Sequence, residues 1–138
     1  MDTLTAAERS ERMRRIRSKD TGPEMIVRRL VHGMGFRYRL HDRTLPGAPD
    51  LVFKNKRKVI LVHGCFWHFH RVCHQVRLPK SRIEFWKTKF EENRRRDGLN
   101  RRKLRAQGWE VLVIWECQTK RAEELARQIR RFLEGRPE

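Results

Sequence analysis

The segment from His63 to Cys73, HGCFWHFHRVC, holds three histidines and two cysteines within eleven residues. Thiolates and imidazoles together are the ligand set of tetrahedral zinc sites. The remaining cysteine, Cys117, lies far downstream at the end of an apolar run, VLVIWEC. We therefore expect a structural zinc site with three cysteines and one histidine, in which Cys117 ties the end of a strand to this segment.

Spacing alone does not select the histidine of that site, because four are within reach: His63, His68, His70 and His74. A histidine that does not bind zinc would be available for acid–base chemistry, since imidazole titrates near neutral pH. The alternative interpretation is structural. In that case the cysteines are small buried hydrophobic residues and the histidines face solvent.

The charge of the chain points to a polyanionic partner. Its 138 residues include 34 Lys and Arg against 17 Asp and Glu, a net charge of +17, which favours nucleic acid. An odd number of cysteines fits metal binding in a reducing compartment better than a disulfide framework. The chain has no apolar stretch of membrane-spanning length and no signal-peptide pattern, so we expect a cytoplasmic, nucleoid-associated protein that binds no membrane.

Hydrophobic periodicity predicts an α/β fold in a single domain, residues 1–138, with a basic N-terminal arm or helix at 1–20 and a zinc and active-site loop at 63–80. Capping boxes are predicted at Thr21 to Glu24 and at Ser81 to Glu84, and the Glu24 side chain can bond back to the cap amide. Strands are predicted at 36–40, 51–53, 59–62 and 109–115, and helices at 3–18, 21–35, 81–107 with a break at Gly98, and 120–133. Helices should therefore flank a mixed central sheet of three to five strands.

The turn Leu45 to Pro49 delivers Asp50 to the start of a short strand. The next strand is entirely apolar and runs into His63, so Asp50 and the zinc loop should lie on adjacent strands. A proline and an aspartate at the head of a hairpin strand are similar to the core of the PD-(D/E)xK nucleases. In that core the second strand usually carries an acidic residue and a lysine. Here it leads into His63, Cys65 and His68, so a base other than lysine is required.

Several long motifs, in order, resemble the very-short-patch repair endonucleases: SKDTGPE, LPGAPD, VHGCFWHFHRVC, PKSRIEFWKTKFEEN, Arg96-Asp97 and GWEVLVIWEC. The resemblance covers nearly the whole chain. It implies a restriction-endonuclease-like fold with a structural zinc. It also implies a magnesium-dependent enzyme that nicks double-stranded DNA on the 5′ side of the thymine in a T:G mismatch. We expect a monomer, with repair-pathway proteins as further partners.

The resemblance also implies roles for the catalytic residues. Asp50 would bind magnesium together with the backbone carbonyl of Val62, and His68 would be the general base that activates water. Glu24 would reach the metal through bound water. Two further residues would complete the surroundings of the site: His63 and Asp97, the latter as a partner that orients a histidine.

The remaining roles implied by the resemblance concern zinc and DNA. The zinc ligands would be Cys65, His70, Cys73 and Cys117. The DNA-binding residues would be Phe66, Trp67, Trp86 and Asn93, with the aromatic rings wedged into the duplex, where a mismatched pair is easier to distort. The alternative for Trp86 is a place in the core. Two other functions stay open: a related nuclease with different mismatch or sequence specificity, and a zinc-stapled DNA-binding protein without catalysis.

Overall fold

A four-stranded mixed sheet with helices on both faces forms the centre of the protein, seen in a computed structural model that describes residues 21–65 and 81–135. The described helices are α1 (Gly22–Gly33), α2 (Ile83–Ala106) and α3 (Ala122–Glu134), and the strands are β1 (Arg39–Leu40), β2 (Leu51–Phe53), β3 (Lys58–His63) and β4 (Glu110–Trp115). The predicted α/β architecture and strand number are confirmed. The predicted arm at 1–20 and most of the loop at 63–80 lie outside the described residues.

The strands lie in the order β1-β2-β3-β4, with antiparallel pairing up to β3 and parallel pairing between β3 and β4. A parallel pair needs a long connection, and α2 lies within that connection. The register pairs Val62 with Ile114 and His63 with Trp115, so β3 and β4 end at the same edge. The segments after both strands, which carry the three cysteines in the sequence, therefore start side by side.

Alternation along the strands divides the core between two faces of the sheet. One face packs against α1 and α3 through a cluster of buried residues: Val27, Val31, Leu51, Phe53, Ile60, Ile114, Leu125, Ile129 and Leu133. The other packs against α2 through a smaller cluster: Val52, Val59, Leu104 and Trp109. The central strand β3 contributes to both, which confirms that it is buried on two faces. None of the described helices is long and apolar enough to cross a membrane.

The start and end of α1 agree with the sequence. Thr21 caps the helix, with its Oγ1 accepting a hydrogen bond from the Glu24 amide at 3.4 Å, and Pro23 lies in the first turn. At the other end the Phe36 amide donates to the Val31 carbonyl, and Gly35 adopts a φ of 93° that favours glycine.

Two predictions about α2 are wrong. The capping box at Ser81 does not form, because Arg82 adopts a left-handed conformation with a φ of 57° and the helix starts after it without a side-chain cap. The Arg82 guanidinium instead lies over the Phe85 ring, 4.4 Å from its centroid. The break predicted at Gly98 is also absent. The helix continues to Ala106 because inward residues on both sides of Gly98, such as Phe90 and Leu104, are buried against the domain.

The ends of other elements differ from the prediction by a few residues. The strand predicted at 36–40 pairs only at Arg39 and Leu40, before the chain turns at His41 with a φ of 48°. After β4 the chain forms a 3-10 turn, Glu116–Lys120, so α3 begins at Ala122.

Candidate active site

Asp50 lies directly before β2, and its carboxylate bridges to the neighbouring strand. Its Oδ2 accepts a hydrogen bond from the Val62 amide at 2.7 Å, and its backbone carbonyl accepts one from the His41 amide at 3.2 Å. The turn before it packs against α2, since a Cβ added at Gly47 would lie 2.9 Å from Asn100 Nδ2. The predicted adjacency of Asp50 and the end of β3 is therefore confirmed. Asp50 is fixed by hydrogen bonds from the Val62 and His41 amides and by the packing of the preceding turn on α2.

Glu24 extends from the first turn of α1 towards Asp50. Its Oε2 pairs with Arg28 one turn later, and its Oε1 lies 2.8 Å from His41 Nε2. The same His41 nitrogen lies 3.9 Å from Asp50 Oδ1. Ligand atoms of Glu24, His41 and Asp50 lie within 4.8 Å of one another, and we call these three residues the carboxylate cluster. Because both Glu24 oxygens contact these side chains, a capping role does not account for the direction of its carboxylate.

The surroundings of Asp50 make its ionised form costly. Burial raises the pKa of Asp50 to about 7; the hydrogen bond from Val62 opposes the shift, and the nearby Glu24 carboxylate adds to it. The Arg28 guanidinium lowers the Asp50 pKa, but not enough to offset the other effects. Two carboxyl groups that share a site in this way are suited to a divalent cation, which favours their ionised forms. Glu24 and Asp50 therefore fit a magnesium ion by ligand type and by spacing.

The two predicted site residues at the end of β3 have different environments. The amide of Val62 contacts Asp50, which places the backbone of Val62 beside the carboxylate cluster. His63 is 6% exposed and packs edge to face on Trp115, with ring centroids 5.2 Å apart. The ligand role of the Val62 carbonyl and the part played by His63 stay predictions.

Two of the four predicted zinc ligands meet where β3 and β4 end. The Cys117 amide donates to Cys65 Sγ at 3.4 Å, and the Cys65 amide donates to Glu116 Oε1 at 3.4 Å. Cys65 is 3% exposed. We call Cys65, Glu116 and Cys117 the cysteine junction. It joins the loop after β3 to the 3-10 turn after β4, as the sequence predicts for Cys65 and Cys117.

The predicted site residues on α2 lie along its inner side. Trp86 is half-buried and stacks on Phe90 at a centroid distance of 5.9 Å, while its neighbour Phe85 is 46% exposed. Asn93 is 5% exposed, and its role in binding DNA stays a prediction. Asp97, one turn further, is half-buried. The remaining predicted site residues lie outside the described residues: Phe66, Trp67, His68, His70 and Cys73.

His41 is the member of the carboxylate cluster that the sequence analysis missed. The feature that predicts the position of His41 is the pairing register of β1 and β2. Since Leu40 pairs with Leu51 across the hairpin, the next residue along β1 lies beside the residue before β2. A histidine opposite Asp50 follows from that pairing. The predicted strand at 36–40 ended one residue short of it.

Comparisons with known proteins place the chain among endonucleases that act on DNA mismatches. The family described as DNA mismatch endonuclease Vsr matches residues 1–75. The chain is 45% identical over 133 residues to the type II nicking enzyme V.XorIIP of Xanthomonas oryzae pv. oryzae, covering 96% of this chain and 97% of that protein. It is 41% identical over 124 residues to the DNA mismatch endonuclease Vsr of Escherichia coli K12, covering 90% and 79%. The chain belongs to the DNA mismatch endonuclease Vsr family.

Proposed function

We propose that this protein hydrolyses one phosphodiester bond of double-stranded DNA on the 5′ side of the thymine in a T:G mismatch, which leaves the nick that starts very-short-patch repair. The observation that carries the proposal is the carboxylate cluster. Asp50 and Glu24 share a site at the head of a hairpin strand, and the pKa of Asp50 is raised to about 7. Such a pair is suited to the metal centre of a nuclease of the PD-(D/E)xK kind.

The cation proposed for this site is magnesium. Magnesium keeps several waters and usually takes one or two carboxylates, so Asp50 as a ligand and Glu24 through water would be sufficient. The Val62 carbonyl is the proposed third contact, supported by the bond between the Val62 amide and Asp50. When bound, the ion would neutralise charge on the phosphate and stabilise the leaving oxygen.

The proposed general base is His68, which would take a proton from the attacking water. An imidazole is suited to this step because its pKa lies near neutrality. His63 and Asp97 are proposed to shape its surroundings. Their support is positional, since His63 ends β3 beside the cluster and Asp97 lies half-buried on the helix that leads to β4.

A structural zinc is proposed at the cysteine junction, held by Cys65, His70, Cys73 and Cys117. The support is the contact between Cys65 and Cys117 across the ends of two parallel strands. An amide that donates to sulfur is an interaction that stabilises a metal-bound thiolate. Zinc at this position would anchor the loop that carries the proposed base His68.

DNA is proposed to lie against the basic surface, with the aromatic rings of Phe66, Trp67 and Trp86 wedged at the mismatch. The outer side of α2 supplies exposed cations for phosphate contacts: Lys87, Arg94, Arg95, Arg96, Arg102, Lys103 and Arg105. The support for the wedge role of Trp86 is that its ring is only half-buried, so part of it is accessible, and that the neighbouring Phe85 ring is exposed. Asn93, on the same helix, is proposed as a further DNA-binding residue. We further propose that the enzyme acts as a monomer.

A related nuclease with another mismatch or flanking-sequence preference is the second candidate, because relatives with up to 45% identity carry the name type II nicking enzyme. The test is a nicking assay on end-labelled duplexes that carry each mismatch in turn, with magnesium and with chelator. We expect one cut, on the 5′ side of the thymine of T:G, and only with magnesium. Equal cutting of matched duplexes, or a cut at another mismatch alone, would contradict the proposed substrate.

A further inference from the structure

His41 is fixed beside Asp50 by the backbone as well as by its side chain. It follows β1 in a left-handed conformation with a φ of 48°, which non-glycine residues adopt rarely. Its amide donates to the Asp50 carbonyl at 3.2 Å, continuing the pairing between β1 and β2. Strained conformations of this kind persist where the surrounding structure determines them, often at functional sites. The turn at His41 directs its ring into the carboxylate cluster.

The ring of His41 contacts one of the two Glu24 oxygens, and Arg28 contacts the other. His41 Nε2 lies 2.8 Å from Glu24 Oε1, and Arg28 pairs with Oε2. The Glu24 side chain is 4% exposed and that of His41 is 11% exposed, so water has little access to replace either contact. The position of the Glu24 carboxylate relative to Asp50 therefore depends on both partners.

We propose that His41 is a positioning residue: its ring holds Glu24 Oε1 towards Asp50, so that the two carboxylates present a preformed site to the catalytic cation. This inference rests on the proposed function, because it needs a cation at Asp50. Without the ring, Glu24 would keep its bond to Arg28 and could rotate away from Asp50. A ring nitrogen bound to Glu24 is unavailable as a metal ligand, and magnesium prefers oxygen. Cation affinity, rather than the rate at saturating cation, should depend on His41.

Two variants that differ by one methylene test this role: His41→Asn and His41→Gln. Asparagine tolerates the left-handed conformation well but is too short to reach Glu24, whereas glutamine places an amide donor close to the position of the ring nitrogen. The control is His32→Asn, because His32 is exposed in the last turn of α1. Binding of Mn²⁺ to each full-length protein without DNA is measured from the loss of the free-ion paramagnetic resonance signal. The magnesium concentration for half-maximal nicking of a T:G duplex and the melting temperature are also measured.

We expect His41→Asn to weaken Mn²⁺ binding about tenfold, the effect of losing one hydrogen bond to a charged group. The magnesium requirement should rise by a similar factor, while the nicking rate at saturating magnesium stays close to that of His32→Asn. The melting temperature should fall below that of His32→Asn, because Glu24 Oε1 loses a buried donor. His41→Gln should restore affinity to within roughly threefold of wild type, because an amide donor replaces the ring nitrogen.

Unchanged Mn²⁺ affinity in His41→Asn would overturn the inference. So would equal loss in His41→Gln and His41→Asn, because the imidazole would then be needed as a ligand or base rather than as a donor. Failure of the proposed function gives a different result: the wild-type protein would bind Mn²⁺ with the expected dependence on residue 41 but would not nick mismatched DNA.

Discussion

The carboxylate cluster and the cysteine junction lie on opposite sides of the end of β3, and they are built in different ways. Glu24 of the cluster lies in the first turn of α1, and His41, directly after β1, is paired with Asp50, directly before β2, by a backbone hydrogen bond. The junction is made of segments that follow strands, with Cys65 in the loop after β3 and Cys117 in the 3-10 turn after β4. Backbone pairing fixes the first, whereas the second depends on contacts between non-regular segments.

This difference in construction fits different functions for the two regions. Residues that must keep a fixed spacing to act on a phosphate are better placed on strands and helices than on loops. Segments that have left the sheet no longer pair with a neighbouring strand, and a metal ion can hold them together. The carboxylate cluster would then supply the chemistry, and the cysteine junction would hold the loop that completes it. Changes in the two regions should therefore have separable effects on activity and on stability.

The largest effect is expected from Asp50→Ala. Removing the proposed metal ligand should lower the nicking rate by about a thousandfold or more, since a metal ion contributes several kcal/mol to the transition state. The control is Asp42→Asn in the same connection, because Asp42 accepts hydrogen bonds from Thr44 rather than joining the cluster. Rates are compared under single turnover with saturating enzyme. An Asp50→Ala protein with a tenth of the wild-type rate would contradict the assignment.

The next largest effect is expected at the cysteine junction, where a substitution should lower stability without removing a catalytic group. Cys117→Ala should lose bound zinc and lower the free energy of unfolding by about 3–5 kcal/mol, a large part of the 5–15 kcal/mol typical of a domain. Elemental analysis should find about one zinc per wild-type chain, from the ligand count. Thr119→Ala is the control, because it removes a 2.6 Å hydrogen bond to Glu116 in the same turn without changing a sulfur. Wild-type zinc content in Cys117→Ala would show that the junction is not a metal site.

A smaller effect concerns pH and the carboxylate cluster. The folded protein retains a proton on Asp50 up to a pKa of about 7, whereas the unfolded chain releases it near 3.8. Wild-type stability should therefore fall as pH rises through this window and level off above it, and Asp50→Asn should lack this contribution. The stability difference between variant and wild type should grow by about 1–3 kcal/mol from pH 4 to pH 8, measured by urea unfolding without divalent cations. Parallel curves for the two proteins would contradict the raised pKa.

The smallest effect lies outside both regions, on the exposed basic side of α2. Arg94→Gln and Arg95→Gln should each reduce the slope of log K against log salt by up to about 0.9 if the residue contacts a phosphate. The matched control is Arg127→Gln on α3, which packs on the other face of the sheet. Binding to a duplex is measured by fluorescence anisotropy over a range of salt concentrations. A slope that changes only with Arg127→Gln would place DNA on the α3 side.

Much of the fold could be predicted because local pattern and tertiary structure agree. The Thr21 cap, Gly35 and the apolar β3 all have environments that their sequence signals specify. The wrong secondary-structure predictions occur where the free energy of tertiary contacts is larger than that of local conformational preferences. A glycine within a helix costs about 1 kcal/mol, and burial of Phe90 and Leu104 on either side of Gly98 offsets that cost. Similarly, the capping box predicted at Ser81 does not form. Arg82 instead adopts a left-handed conformation and contacts Phe85, which the local sequence pattern does not predict.

The two regions of the site also differed in how far the sequence could predict them. Cys65 and Cys117 stand out by residue type, so their proximity was predicted without a structure. The position of Asp50 beside the end of β3 was predicted from the turn before it. His41 could not be found in that way, because its role depends on the register of a two-residue strand and on a left-handed turn. Residue type predicts candidate ligands, whereas the residues that contact those candidates follow from pairing between elements.

The carboxylate cluster is tested as the metal centre by locating a divalent cation in crystals of the full-length protein grown with Mn²⁺. Anomalous scattering from manganese distinguishes this ion from water and from magnesium. We expect a peak bonded to Asp50 Oδ1 at roughly 2.0–2.2 Å, on the side that faces Glu24. A peak that avoids Asp50 and Glu24, in a protein that still nicks mismatched DNA with manganese, would contradict the carboxylate cluster as the metal centre.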